Sequence, residues 1–379
     1  QLSELMCKHS QRENGLQDLL EIMLESMMVA ERGEFLRESP SNKGNGYRPG
    51  HTYGHGRRLE FRIPRDRYGN FHPQILAILR NQEEECDRLA GVLYTKGLTQ
   101  EQVSEVFGEI YGEHYSKSSI SRMVESVRMQ VGDWLERGLE AYYPVVFVDC
   151  VHIKVHRKRS VASEAFYVAL AVTDEGRREV LGIYNIPTES ATGWGGIFDD
   201  LKERGVERVG LMVADGIKGL DTVVGEKFPS TPLQRCVTHL KRNLFAKVRH
   251  GDKAALASDL RDVFRTGQQD YTVEQAWAKW QLMCDRWGKD YRAFKLMRDD
   301  AAYKAYMLYL NYHHDIQSMI YTTNWIERLN RDFRRVTRMR TAMPNEESVL
   351  TLMGSVAMEH KAFDRILPRI TADKTLFPD

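Results

Sequence analysis

The sequence lacks the features of several large protein classes. Its 379 residues include only 5 cysteines and no Cys-x-x-Cys pair, so a disulfide framework is not expected and Cys236 with His239 is at best half a zinc site. No apolar run reaches the ~18–20 residues of a membrane helix. Residues 1–4 carry no signal pattern and no P-loop motif occurs. We therefore expect a cytoplasmic protein that uses no nucleotide and no membrane.

Net charge is almost absent as well. Lys+Arg number 54 against 53 Asp+Glu, a net charge of +1, so any nucleic-acid binding must depend on local basic surfaces. Hydrophobic residues make up 42% and charged residues 28%, which is ordinary globular usage and excludes wholesale disorder. The length fits two or three domains.

The first 80 residues change character near residue 41. Apolar side chains recur at helical spacing over residues 15–30, which predicts a core or dimer-contact helix within segment 1–40. Over residues 41–80, glycines break regular structure between basic and aromatic side chains. That mixture suits a phosphate backbone and exposed bases, although a plain solvated hairpin is the alternative. The arginines assigned to DNA here are Arg48, Arg57, Arg58, Arg65 and Arg67.

Segment 81–140 predicts a helix-turn-helix. Three helices are expected over residues 82–131, the second capped by Thr99 with Gln102 and the third beginning near Ser116 after a turn at residues 112–115. Small polar and cationic side chains at the start of a third helix favour insertion in the major groove, and a plain packing module is the alternative. The DNA contacts assigned to this helix are Lys117, Ser118, Ser119, Ser121 and Arg122.

A carboxylate interrupts the most apolar segment of the chain. Residues 145–155 predict a buried strand with Asp149 in its middle, where a carboxylate is costly unless it is paired or bound to a metal. A short later strand leads directly to Asp215. An Asp-Gly pair after a strand is also an ordinary turn, so only the combination with Asp149 favours a Mg²⁺ site.

The order of elements around these two acids predicts an α/β fold with a ribonuclease-H-like core. Three strands, one helix and a fourth strand are expected at residues 145–155, 164–173, 179–187, 190–204 and 209–213. A right-handed crossover lays the fourth strand beside the first and brings Asp215 near Asp149. The helix is expected to stop at Gly205.

The last third predicts a basic helix, a helical block and an arginine-rich helix. Residues 237–250 predict the basic helix, and Lys241 and Arg242 on it are assigned to DNA. Residues 252–312 are expected to be wholly helical. Their tryptophans recur at helical spacing, which favours core packing over a surface that stacks on DNA bases. Thr322 or Thr323 then caps a helix whose face carries Glu327 before a ladder of arginines. An acid beside a cationic stripe suits a phosphodiester held against a metal. The arginines are Arg328, Arg331, Arg334, Arg335 and Arg338.

These motifs together resemble the bacterial insertion-sequence transposases of the Mutator-like superfamily, over about residues 15–365. The stretches that carry the resemblance are residues 63–74, 93–99, 119–122, 213–216, 235–243 and 322–330, together with the Asp149 strand. One position departs slightly from the family pattern: Met343 stands before Pro344, where an aromatic residue is usual. This departure affects only local packing.

The resemblance implies an Asp-Asp-Glu triad of Asp149, Asp215 and Glu327 and an all-helical insertion between the last two. Two Mg²⁺ or Mn²⁺ ions would be held there for strand cleavage and strand transfer at terminal inverted repeats and target DNA, by a homodimer. It also places Cys236 and His239 near the active site, where His239 either contacts the scissile phosphate or packs. The support residues expected around the phosphate are His239, Cys236, Arg328, Arg331 and Arg335.

The motifs and the resemblance together predict a domain layout of six segments. They are a helical segment 1–40, a basic segment 41–80, a helix-turn-helix domain 81–140, a first core part 141–250, an all-α insertion 251–318 and a second core part 319–379. The alternatives are a non-catalytic helix-turn-helix regulator on an inert ribonuclease-H-like scaffold and a nuclease that cuts without joining.

Overall fold

The structure is a computed structural model that describes residues 15–39, 41–54, 57–111, 117–158, 160–186, 191–217, 219–360 and 363. Its contacts divide the chain into two compact units, Gln1–Arg128 and Met129–Asp379. Among the described helices, none combines the length and the apolar character needed to cross a membrane.

The first unit begins with a helix packed on a β-hairpin. Helix α1 (Gly15–Glu38) precedes the antiparallel strands β1 (Gly44–Gly54) and β2 (Arg57–Asp66). Buried Met28 packs with three apolar side chains of β2, Leu59, Phe61 and Ile63. The helix is longer than predicted, and its apolar stripe is only partly covered, because Met23 and Met27 are exposed.

Glutamates of α1 also cover the outer edge of β2. The backbone amides of Glu60 and Arg62 donate to the side chains of Glu21 and Glu25 at 2.8 and 2.7 Å. One helical turn separates these two glutamates, so they reach amides two residues apart on the strand. An edge strand capped in this way cannot pair with another chain along these amides.

Three helices follow the hairpin, as predicted. They are α2 (Gln74–Thr95), α3 (Gln100–Tyr111) and α4 (Lys117–Leu135). The capping box is confirmed, because Thr99 and Gln102 exchange hydrogen bonds of 2.9 and 3.1 Å between side chain and backbone. Ile110, on the apolar side of α3, is 59% exposed. The predicted turn at residues 112–115 and the predicted start near Ser116 lie outside the described residues.

The second unit is built on a mixed five-stranded sheet. Its elements up to the last strand are β3 (Tyr142–Arg157), β4 (Ser160–Val172), β5 (Arg178–Ile186), α5 (Ala191–Glu203), β6 (Arg208–Ala214), α6 (Leu220–Lys227) and β7 (Leu233–Arg235). The strand order is β5-β4-β3-β6-β7, with β3, β4 and β5 antiparallel and β6 parallel to β3. The predicted placement of the fourth strand beside the first is confirmed. Gly205 ends the turn after α5 with a φ of 119°, as its place in the sequence predicted.

Alternation along β3 divides its side chains between two layers. Val146 and Val148 pack in the cluster that includes Trp194 and Phe198 of α5. Phe147 points to the opposite face, where its ring lies 5.6 Å from that of Trp325. Because side chains two apart share a face of a strand, Asp149 faces the same layer as Phe147.

The helical block between the strands and the arginine-rich helix has more breaks than predicted. Helix α7 (Val237–Phe245) ends before residue 250. The elements that follow are the helices α8 (Lys253–Val263), α9 (Val273–Trp287) and α10 (Arg292–Met297), the 3₁₀ segments Ala301–Tyr306 and Leu308–Asn311, and helix α11 (His314–Ile320). Residues 252–312 are therefore not wholly helical. The tryptophan seam is core packing, since Trp280 and Trp287 are buried and the Trp280 ring stacks on Tyr303 at 4.9 Å.

The buried side chain of Gln234, on β7, connects this block to the sheet by hydrogen bonds. Strand β7 was not predicted from the sequence. The Gln234 side chain donates to the carbonyl oxygen of Tyr306 at 3.1 Å and accepts from the amide of Tyr309 at 2.7 Å. The chain ends its described core with α12 (Asn324–Thr337) and α13 (Glu346–Met358). Met343, between them, is buried and forms a parallel bridge with Val155 of β3, so a methionine is accommodated there without loss of packing.

Candidate active site

The two aspartates lie at neighbouring positions of adjacent parallel strands. Val148 of β3 pairs with Ala214, the last residue of β6; Asp149 is the next residue of β3, and Asp215 is the first residue after β6. Parallel strands run in the same direction, so residues that follow a paired position lie towards the same end of both strands, and both carboxylates lie there. The predicted position of β6 beside β3 accounts for this placement.

Asp149 is partly buried and accepts two hydrogen bonds. The backbone amide of Cys150 donates to Oδ1 and the side-chain amide of Asn330 donates to Oδ2, each at 2.8 Å. Burial raises the pKa of Asp149 to about 6, and the neighbouring charges of Asp215 and Glu327 act in the same direction. The Cys150 amide and His239 act against them. Three acidic side chains therefore share one region.

His239 links the other two acids. Its Nδ1 lies 3.5 Å from Oδ1 of Asp215 and 3.8 Å from Oε1 of Glu327. Since both distances end on the same nitrogen, the two carboxylate oxygens are separated by at most the sum of 3.5 and 3.8 Å. Both acids are accessible, with side-chain exposures of 36% and 31%. The structure thus brings together the acids that the sequence separates widely.

The start of α12 positions Glu327. Thr323 precedes the helix, and its hydroxyl lies 3.2 Å from Oε1 of Glu327 and 3.2 Å from Sγ of Cys236. Thr323 is the N-cap residue, as one of the two predicted candidates, but its side chain makes no capping hydrogen bond; the hydroxyl of Thr322, one residue earlier, accepts from the amide of Asn324 at 3.5 Å. Glu327 lies in the first turn, where the helix dipole favours a negative charge.

Cys236 and His239 form a coupled pair beside the carboxylates. The Cys236 sulfur, together with Asp215 and Glu327, raises the pKa of His239 to about 9, against the effect of burial. Burial acts to raise the pKa of Cys236, but hydrogen bonding with His239 and Thr323 outweighs it and the pKa of the thiol is lowered. At neutral pH the imidazole is therefore charged and offsets part of the negative charge of the acids.

The donor set fits a hard divalent cation. Three carboxylates supply oxygen ligands of the kind that Mg²⁺ and Mn²⁺ prefer. Their mutual repulsion, which contributes to the raised pKa of Asp149, is relieved by a cation. Cys236, His239 and Glu327 also have potential ligand atoms within 4.8 Å of one another. The Cys236 sulfur is buried and already accepts from the amide and hydroxyl of Thr323, so it contributes less readily to a metal site.

The arginines that follow Glu327 on α12 are accessible. Arg331 and Arg338 are exposed on the face that carries Glu327, and Arg334 between them is partly exposed. Arg328 and Arg335 are exposed on the adjacent face. Among the described residues, none of these five side chains forms an ion pair. Their charges are thus available to a phosphate backbone.

The predicted DNA contacts elsewhere differ in their accessibility. Exposed side chains are those of Arg48, Arg65, Arg67, Ser118, Ser121, Arg122 and Arg242. Ser119 is partly buried and accepts a hydrogen bond of 3.4 Å from Arg122. Lys241 is partly buried above the Phe264 ring, and burial lowers its pKa. The side chains of Arg57, Arg58 and Lys117 lie outside the described part of the chain, although their backbones belong to β2 and α4.

Sequence reasoning missed the residues that hold the acids in place. Asn330 and Thr323 lie three residues after and four residues before Glu327, the spacing that places side chains on one helix face. That spacing was the available signal. Sequence reasoning also missed Tyr306 of the helical block, whose hydroxyl lies close to Gly216, the residue after Asp215.

Comparison with known proteins gives one family and several relatives. The model of the family described as "Transposase, Mutator family" matches residues 3–365. The chain is 31% identical over 339 residues to the transposase for insertion sequence element IS905 of Lactococcus lactis, covering 87% of this chain and 85% of the relative. It is 30% identical over 344 residues to the transposase for ISRM3 of Rhizobium meliloti, covering 89% and 85%.

A third relative and one solved structure complete the comparison. The transposase for IS256 in transposon Tn4001 of Staphylococcus aureus is 28% identical over 365 residues, covering 93% of this chain and 91% of the relative. A structure titled "Drosophila P element transposase strand transfer complex" overlaps 77% of this chain and 82% of its own, with 9% identity and a TM-score of 0.32. That TM-score is too low to equate the two folds.

Proposed function

Since this chain belongs to the Mutator family of transposases, we propose that it binds the terminal inverted repeats of its insertion sequence and catalyses DNA cleavage and strand transfer. Asp149, Asp215 and Glu327 are the catalytic acids of this proposal, and the mixed sheet that carries two of them is a ribonuclease-H-like core. The observation that carries the proposal is the convergence of Asp215 and Glu327 on His239, at 3.5 and 3.8 Å, beside Asp149.

The three acids would hold two divalent ions, Mg²⁺ or Mn²⁺. When bound, such ions polarise the phosphate, activate the attacking oxygen and stabilise the leaving oxygen. His239, with its pKa raised to about 9, carries a positive charge near the acids, which favours a contact with the scissile phosphate over simple packing. Thr323 and Cys236 keep Glu327 and His239 in place through the contacts described above.

The joining reaction conserves phosphodiester bonds. The oxygen of a 3′-hydroxyl gives up its proton and attacks phosphorus in the target strand, one P–O bond forms as another breaks, and the displaced 3′ oxygen takes up a proton, so that atoms and charge balance. No nucleotide is therefore needed. The arginine ladder of α12 would hold the negatively charged strand while the bond changes occur, because each arginine can neutralise one phosphate.

DNA recognition is proposed to reside in the hairpin and the helix-turn-helix. Exposed Arg48, Arg65 and Arg67 of the hairpin and the start of α4 offer the basic surfaces, whereas Tyr47 is less suited to stacking on a base. Its ring is flanked by the guanidinium groups of Arg32 and Arg62, at 5.1 and 5.3 Å. The six-segment domain layout stays part of the proposal.

A homodimer is also part of the proposal. Two element ends have to be handled together, which two copies of the chain would do. Exposed apolar side chains of α1, including Met23 and Met27, are the proposed contact.

A labelled terminal-repeat duplex tests the proposal. We expect the full chain with Mn²⁺ to nick the duplex and to join the freed 3′ end to a target strand, and Asp149→Ala, Asp215→Ala and Glu327→Ala proteins to do neither. Glu175→Gln, an exposed turn residue, is the matched control and should retain activity. Unchanged nicking by Asp149→Ala protein would refute the assignment. Cutting without joining indicates a nuclease, and binding without cation-dependent cutting indicates a regulator.

A further inference from the structure

Asn330 is a buried amide directed at the candidate site. It lies on α12, one turn after Glu327, and is only 1% exposed. Its Nδ2 donates to Oδ2 of Asp149 at 2.8 Å. One helix turn therefore supplies one acid of the site and restrains a second acid that comes from β3.

This contact determines how Asp149 presents its oxygens. The Cys150 amide holds Oδ1 and the Asn330 amide holds Oδ2, so the carboxylate plane is fixed from two sides. A carboxylate oxygen accepts about two hydrogen bonds or ligands, so each oxygen keeps one direction for a cation. Only the NH₂ end of Asn330 can donate to an ionised carboxylate, which also defines where its Oδ1 lies.

The Oδ1 atom of Asn330 is a buried acceptor without a hydrogen bond to any described residue. An unsatisfied acceptor is unfavourable in a folded protein, and such groups in native structures call for an explanation. Leu or Met would fill the same space without this cost. The contact with Asp149 accounts for the donor end of the amide, and the buried Oδ1 is left to accept a hydrogen bond from a ligand of the site, such as a water of a hydrated divalent cation.

We propose that Asn330 is a positioning residue of the cation site: its Nδ2 orients Asp149 and its Oδ1 receives a hydrogen bond from the hydration shell of the bound ion. This inference rests on the proposed function, because it takes Asp149 as a cation ligand. It extends that proposal by assigning a role to a residue that touches an acid rather than the DNA.

Cation binding by the full chain, measured without DNA, tests the inference. Mn²⁺ affinity is determined by calorimetry and by electron paramagnetic resonance for wild type, Asp149→Asn, Asn330→Leu and Asn330→Ala proteins. The matched control is Asn185→Leu, because Asn185 also donates from an amide to a carboxylate, that of Glu164, at 3.1 Å and on a different part of the sheet. Removing a partner that orients a metal ligand weakens metal binding by about 10–100-fold.

We expect Asn330→Leu protein to bind Mn²⁺ about 10–100-fold more weakly than wild type and Asn185→Leu protein to bind it unchanged. Equal Mn²⁺ affinity of Asn330→Leu and wild-type proteins would overturn the inference. If Asn330→Leu protein does not fold, the smaller Asn330→Ala substitution decides: it removes the same amide, so Mn²⁺ should bind about 10–100-fold more weakly than to wild type, and equal affinity would overturn the inference.

The Asp149→Asn arm separates the two proposals. If this substitution abolishes Mn²⁺ binding while Asn330→Leu leaves it intact, only the role of Asn330 fails. If Asp149→Asn leaves Mn²⁺ binding intact, the cation site of the proposed function fails and the inference fails with it.

Discussion

The ionised side chain of Asp149 is expected to destabilise the protein when no cation is bound, so Asp149→Asn should make it more stable. Burial raises the pKa of this carboxyl from 3.8 to about 6 in the folded state. Below pH 3.8 the folded and unfolded states are both protonated, and no difference arises. Between pH 3.8 and 6 the unfolded state loses its proton first, which favours unfolding, and above pH 6 the cost is complete.

The magnitude follows from the size of the shift. At 1.36 kcal/mol for each pKa unit, the ionised carboxylate costs about 3 kcal/mol of unfolding free energy above pH 6. The asparagine loses one hydrogen bond to the Cys150 amide or to Asn330, which costs about 1 kcal/mol. The net gain of about 2 kcal/mol corresponds to a rise in melting temperature of about 4–8 °C for a unit of this size.

Thermal unfolding in EDTA at pH 8 and pH 5 measures both the gain and its pH dependence. The stability difference between Asp149→Asn and wild-type proteins should be about 1 kcal/mol larger at pH 8 than at pH 5, which lies below the folded pKa. A difference that is independent of pH, or an Asp149→Asn protein that melts below wild type at pH 8, would refute the reasoning. Glu175→Gln, at an exposed turn, should show no difference at either pH.

Three further outcomes are expected. Gln234→Leu should lower the melting temperature and leave the helical block more sensitive to protease, because buried backbone groups lose partners worth about 1–3 kcal/mol each. Arg338→Ala should weaken DNA binding for all sequences and lower the slope of log affinity against log salt by about 1, as measured by fluorescence anisotropy. Arg48→Ala should weaken DNA binding more than Arg62→Ala, because the Arg62 guanidinium is already paired with Glu25 at 2.9 Å.

Each of these outcomes has a contrary result. Unchanged melting and protease resistance of Gln234→Leu protein would mean that the block is held by other contacts. A salt slope equal to that of wild type would remove Arg338 from the phosphate-contacting set. Equal losses for Arg48→Ala and Arg62→Ala would mean that the ion pair on α1 opens when DNA binds.

Strand order and the positions of the two aspartates followed from local sequence. Apolar β-branched runs predicted β3 to β6 within one to four residues of their observed ends, and the crossover rule placed β6 beside β3. The capping box at Thr99 was equally local, since it needs only two side chains three residues apart. Such patterns depend on backbone geometry that neighbouring residues determine.

Other features depended on packing that no short stretch of sequence encodes. The breaks in residues 252–312 and the short strand β7 arise from contacts with the sheet, such as those of Gln234 with the 3₁₀ segments. Lys241 was predicted as a DNA-contacting cation because it lies in a basic helix, yet its side chain is partly buried against Phe264. Helical periodicity states which side chains share a face, but not which neighbour covers that face.

The identity of the acids was set by the sequence, whereas their common environment was a product of the tertiary structure. Residue type and position in the predicted elements singled out Asp149, Asp215 and Glu327 as candidates, and the family resemblance implied that they form a triad. The contacts of Asn330 with Asp149 and of His239 with two carboxylates join residues far apart in the chain. Charge–charge and hydrogen-bond energies depend on distances of a few ångströms, so only the folded chain decides which groups shift each other's pKa and which one holds another in place.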